Sequence, residues 1–140
     1  MNFFKEVLKN FILFLIGAYT YMQIEIMYRG FTHWTMGIVG GLCFIIIGGI
    51  NNYYDWEMKL WKQCCIGAAA VTTLEFISGV ILNIILKMNI WDYSKIPFNL
   101  FGQICLPFSL AWLLLSLVAI ILDDFLRYFL FKEKFPHYNI

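Results

Sequence analysis

A carboxylate in the middle of a long apolar stretch is the first chemical feature of this chain. Glu75 sits at the midpoint of an apolar run covering about 62–86. On insertion scales a charged side chain at the centre of a membrane helix costs about 2.5–3.5 kcal/mol, and such residues usually face a bundle interior or a water-filled cavity. A buried carboxylate of this kind can hold a cation or a proton, pair with a charged solute, or lock helices together through hydrogen bonds. Thr72, Gly79 and Asn83 fall on roughly the same helical face, so the run carries a polar stripe toward one end.

More polar residues cluster at that end. Glu25 and Arg29 are spaced i, i+4 and can pair on one helical face. His33 follows after the short turn at Gly30, within reach of both in a hairpin. The segment 89–99 is compact and aromatic, with Asp92 and Asn99 at its shoulders, and could fold back as a lid. Gln103 and Pro107 follow in the next apolar run, where a proline kink would free the Gln103 carbonyl. Glu25, Arg29, His33, Glu75, Asn83, Asp92, Asn99 and Gln103 all map to the same outer half. One outward-facing polar pocket that binds a substrate is the simplest account of them. No residue is assigned a catalytic role. A lone histidine does not make a metal site, which needs three or four ligands, so neither metal nor cofactor is expected.

The elements that must position these residues follow from composition. Of 140 residues 61% are hydrophobic and 14% are charged, against roughly 25% charged in soluble domains. A small globule cannot hide that much apolar surface. A spanning helix needs about 20 mostly apolar residues, and the expected spans are about 11–28, 33–50, 62–86 and 100–122. Backbone groups in lipid must bond internally, so the runs are helices. The expected fold is an all-α integral membrane protein. It is a four-transmembrane-helix bundle forming one domain over 1–140, with an amphipathic N-terminal lead-in helix and a C-terminal helical extension stopped by Pro136. Lys5 and Lys9 before the first run look like the start of a signal peptide, but no clean cleavage site follows, so an uncleaved span is expected.

Basic residues near span ends set orientation. The side holding both termini carries Lys5, Lys9, Lys59, Lys62, Arg127, Lys132 and Lys134, and the other carries Arg29, Lys87 and Lys95. Both termini are therefore expected in the cytoplasm, with the chain in the plasma membrane. Trp34, Tyr53, Tyr54, Trp56, Trp61, Trp91 and Tyr93 fall at span ends as interfacial anchors. Trp112, inside the last span, needs a partner for its ring N–H. Gly37 and Gly41 form a GxxxG pair, which predicts close helix packing in the second span, within the bundle or at a subunit contact. Cys43, Cys64, Cys65 and Cys105 form no CxxC motif and read as packing residues. A net charge of +1 gives no case for nucleic acid as a partner.

The stretch Thr73-Leu74-Glu75-Phe76-Ile77-Ser78-Gly79, followed by Trp91-Asp92-Tyr93-Ser94, Pro97-Phe98-Asn99 and Gly102-Gln103-Ile104-Cys105, resembles a bacterial integral-membrane family labelled "putative ABC-transporter type IV". Glu25, Arg29 and His33 also match its first-hairpin pattern, and the resemblance covers nearly the whole chain. It implies a permease-like role. The chain has no GxxxxGK[ST] phosphate loop, so ATP-driven work would need a separate ATPase subunit. Four short spans leave little room for a pathway, so a homo-oligomer in the lipid bilayer is expected. Two other readings stand beside transport. One is a membrane-embedded enzyme acting on a lipid or headgroup through Glu75, His33, Asp92 and Arg29, although no GxSxG or HExxH motif is present. The other is a structural or sensory subunit.

Overall fold

Twenty-seven residues without a proline form the first helix, α1 (Phe3–Arg29). The computed structural model describes residues 3–50 and 58–138, and in it α1 is continuous. The separate lead-in helix expected at the N-terminus is therefore the first turns of α1. Phe4, Leu8, Phe11, Leu15 and Tyr19 form one exposed stripe along it, and no breaker interrupts their spacing. The element runs about 40 Å at 1.5 Å per residue, longer than the hydrocarbon core requires.

α2 (Trp34–Gly48) has fifteen residues. It is apolar but shorter than the about 20 residues of a typical span. His33 is its N-cap, in extended conformation, with its ring nitrogen accepting from the Thr35 backbone N–H. α2 packs against each of the other long helices. Its glycines make this possible on the α1 side. A Cβ at Gly40 would meet the Tyr21 ring 2.8 Å away, and one at Gly41 the Phe14 ring at 2.7 Å. Gly17 of α1 answers in kind, lying under the Phe44 ring of α2. Close backbone approach through small residues is how helices associate where lipid is as apolar as leucine.

α3 (Leu60–Gly79) continues into a wider π-helical segment, Val80–Ile85. After it come two short antiparallel strands, β1 (Asn99–Leu100) and β2 (Ile104–Cys105), pairing Asn99 with Cys105 and Leu100 with Ile104. Phe101 and Gly102 both take positive φ in the turn between them. α4 (Leu106–Phe131) then runs twenty-six residues. Two expectations are corrected here. The last helix starts at Leu106 rather than near 100, because 99–105 are spent on the hairpin. Pro107 lies in its first turn, where no intrahelical N–H donor is needed, so it starts the helix instead of kinking it. The C-terminal extension is no separate element either. α4 passes through Asp123 and Asp124 unbroken and ends at Phe131, where Lys132 adopts a left-handed conformation four residues before Pro136.

α1, α4 and α3 with its π-helical end are each long and apolar enough to cross a membrane. The chain is a helical membrane protein. Its outward surfaces are apolar at helical spacing, as with Ile38, Leu42 and Ile46 on α2 and Leu110, Leu114 and Val118 on α4. Its interior holds the polar side chains Gln63, Glu75, Ser116, Asp123 and Arg127. That inversion is what lipid as the solvent dictates. The segment 51–57 lies outside the described residues, so the anchors expected at Tyr53, Tyr54 and Trp56 do as well.

Candidate functional site

The geometry around Glu75 is built from three elements. α3 carries the carboxylate, with 6% of the residue exposed. From α4, the Trp112 indole N–H donates to Oε1 at 3.3 Å. From the loop after α3, the Tyr93 hydroxyl bonds Oε2 at 3.0 Å. Each carboxylate oxygen thus has its own donor. This answers the partner that Trp112 required. A residue reckoned an interfacial ring, Tyr93, instead turns inward and stacks on Phe108 at 4.9 Å between centroids.

Tyr93 can reach Glu75 because its loop descends into the bundle and is strapped there. The π-helical turn widens the end of α3 and carries Asn83, whose Nδ2 donates to Gln103 Oε1 at 2.8 Å. Asn83 Oδ1 accepts from the Ile90 backbone N–H at 2.7 Å. Trp91 is buried, and its indole N–H donates to the Gln103 carbonyl at 3.0 Å. A backbone bond joins the Tyr93 N–H to the Gly102 carbonyl at 2.7 Å. Gly79 allows this docking, since a Cβ there would lie 3.1 Å from the Trp91 ring. Non-helical backbone at membrane depth is tolerated only where it is buried in protein with its polar groups satisfied.

The remaining predicted residues hold the loop and its rim. Asp92 Oδ1 accepts from the Ser94 N–H at 2.9 Å. That bond, more than any neighbouring charge, holds the Asp92 carboxyl below the usual carboxylate range. Asn99 Nδ2 donates to the Ser94 and Ile96 carbonyls, and its Oδ1 accepts from Gly102 N–H. Arg29 pairs with Glu25, Nε to Oε2 at 2.7 Å, and donates to the Ile90 carbonyl at 2.9 Å. That contact ties the end of α1 to the same loop. His33 stands apart as the cap of α2, bonded to Thr35. The eight residues therefore do not converge on one polar pocket.

Beside Glu75 is a partly open cavity of about 110 Å³ between all four long helices. Of the eight predicted residues, only Glu75 lines it. The walls are mostly apolar, with Val39, Val71 and Leu115 among them, and the rings of Tyr21, Trp91 and Trp112 face in. Tyr21 and Trp112 lie 6.3 Å apart, centroid to centroid. Ser116 also lines the cavity, and its hydroxyl has no hydrogen-bond partner among the described residues. Sequence reasoning missed Tyr21, Trp91, Tyr93 and Ser116 as site residues. An aromatic near a span end reads as an anchor until the loop's path is known.

A second polar cluster, also unforeseen, lies at the far end of the bundle. Arg127 Nε pairs with Asp123 at 2.9 Å, and Lys9 pairs with Glu133. The Asp123 carboxylate packs against Gly48 of α2, and Tyr138 donates to Asp124 at 2.8 Å. Burial and the adjoining Asp124 carboxylate raise the Tyr138 hydroxyl above its ordinary value. The sequence reading placed Asp123, Asp124, Arg127 and Glu133 in the C-terminal helical extension and Lys9 in the lead-in helix.

Comparison with known proteins gives one family. A family model described as "Putative ABC-transporter type IV" matches residues 8–135. No curated protein and no solved structure matches the chain.

Proposed function

Since the chain belongs to the family described as putative ABC-transporter type IV, we propose that it is a permease-like membrane component that takes a small solute at Glu75. The observation that carries this is a mid-helix carboxylate, costly to keep in a membrane, that lines a cavity as well as bonding Trp112 and Tyr93. Tyr93 and Trp112 orient it. Asn83, Asp92, Asn99 and Gln103 act on the solute through the loop they hold, and Glu25 and Arg29 through the tie to Ile90. His33 sets the start of α2. In this reading Trp91 closes one side of the site and the loop moves to admit solute.

The wider arrangement is four crossings in the plasma membrane with both termini cytoplasmic. Any energy coupling comes from a separate ATPase subunit, and a homo-oligomer completes the pathway. Docking of an ATPase at the loop 51–61 rests mainly on Asp55, Trp56 and Glu57, which lie outside the described residues. The lipid-enzyme reading draws less support, because Arg29, His33 and Asp92 are each engaged elsewhere in the chain.

The test is a thermal-shift screen of small solutes on the purified protein, followed by proteoliposome flux for each hit. Glu75→Gln should fold, since an amide oxygen still accepts from Trp112 or Tyr93, yet lose both the shift and the flux. Full flux in the Gln variant would show that the carboxylate is not required.

A further inference from the structure

We infer that the Glu75 cavity selects a small organic monocation with an apolar body, an alkyl or cycloalkyl amine in its ammonium form. The inference rests on the solute-site reading above and narrows it to a substrate class.

Charge is the first argument. Among the described residues Glu75 is the one Asp or Glu in the lining, and no Lys, Arg or His joins it there. Arg29 is held elsewhere, by Glu25 and the Ile90 carbonyl. An anionic solute would meet an uncompensated carboxylate in a low-dielectric site, where like charges repel strongly.

The walls give the second argument. A sugar or polyol needs several polar partners, because each buried hydroxyl without one is costly. This lining offers mainly aliphatic and aromatic surface. A bare metal cation needs more oxygen ligands than one carboxylate supplies, and no group of three His, Cys, Asp or Glu occurs among the described residues. An ammonium on an apolar body meets neither objection. Its charge can pair with Glu75, and the faces of Tyr21, Trp91 and Trp112 attract a cation through their ring quadrupoles. Size sets the third limit. At about 110 Å³ the cavity is somewhat smaller than the about 150 Å³ apolar cavity known to hold benzene, so the body should be of five or six carbons or fewer.

The experiment is calorimetric titration of the full chain in nanodiscs with three probes of one shape: cyclopentylamine, cyclopentanol and cyclopentanecarboxylate. Cyclopentylamine should bind saturably, and cyclopentanol at least about tenfold more weakly, as expected when a buried charge pair is lost. Cyclopentanecarboxylate should give no saturable heat. Glu75→Gln should bring the amine down to the level of the alcohol. The three-probe comparison on the unaltered chain decides the matter even where the variant does not fold.

Equal binding of amine and alcohol overturns the cation assignment while leaving the cavity a solute site, as does preference for the carboxylate. Unchanged amine binding in a folded Glu75→Gln variant overturns it too. Silence from all three probes, with a bound acyl chain recovered from the cavity by mass spectrometry, overturns both this inference and the solute-site reading beneath it.

Discussion

Tyr93 is where the chemistry of one residue most affects the site. Its hydroxyl gives Glu75 one of two donors, and its ring stacks on Phe108 of α4. Tyr93→Phe keeps the stack and removes the hydrogen bond. Hydrogen bonds between side chains inside membrane proteins average about 0.6 kcal/mol and reach about 1.7 kcal/mol. The expected outcome is a loss within that range, measured by unfolding in mixed detergent. Solute binding should change by more than stability does, because Glu75 Oε2 is then unoriented. A binding defect no larger than the stability loss would make Tyr93 a packing residue only. Glu75 itself was legible from sequence, because a charge at a span midpoint is costly anywhere it occurs. Its partners were not. Trp112 and Tyr93 are separated from it by 37 and 18 residues, and no local spacing rule links positions joined only by tertiary folding.

At the scale of elements, helices announce themselves and loops do not. The apolar runs located α2 and α3 within a few residues, because hydropathy is summed over a whole turn-rich window and tolerates local error. The hairpin at 99–105 was hidden, since Leu100, Phe101, Ile104 and Cys105 are as apolar as the helix they precede. Only the left-handed turn at Phe101 and Gly102 separates them from α4. The pairing of α1 with α2 was half legible. GxxxG foretold a close approach, and the α1 residues that fill the grooves could not be read from it. This contact yields a prediction. Gly40→Leu drives a branched side chain into Tyr21, for which overpacking costs about 1–3 kcal/mol. Because Tyr21 lines the cavity, solute binding should fall with it. Leu42→Ala, on the lipid-facing side of the same helix, should be nearly neutral. A neutral Gly40→Leu variant, judged by melting in detergent, would mean that α1 and α2 are more loosely packed than described.

For the whole molecule the number of crossings can be argued from parity. Lys9, near the start of α1, pairs with Glu133, just past the end of α4. The four-crossing arrangement proposed above accounts for this pairing, since an even number of crossings returns the end of α4 to the side where α1 starts. α1, α4 and α3 with its extension are each long enough to cross, and in the proposed arrangement α2 supplies the fourth crossing. Its fifteen residues cover only about 22 Å at 1.5 Å per residue. Its His33 end follows α1 after the turn at Gly30, and at its other end Gly48 packs against Asp123 of α4. A short helix is accommodated by local thinning of the bilayer or by polar flanks at its ends. The surplus of Lys and Arg on the side of the termini supports the proposed direction, with both termini cytoplasmic. The test places single cysteines at Lys5 and at Lys134, in a background lacking the four native cysteines. Both should resist a membrane-impermeant thiol reagent in intact cells and react after permeabilisation, while a cysteine at Lys95 should label at once. Labelling of Lys5 and Lys134 positions on opposite sides would break the parity argument and remove α2 from the crossing helices. Labelling of both from outside would keep four crossings and invert the protein in the membrane.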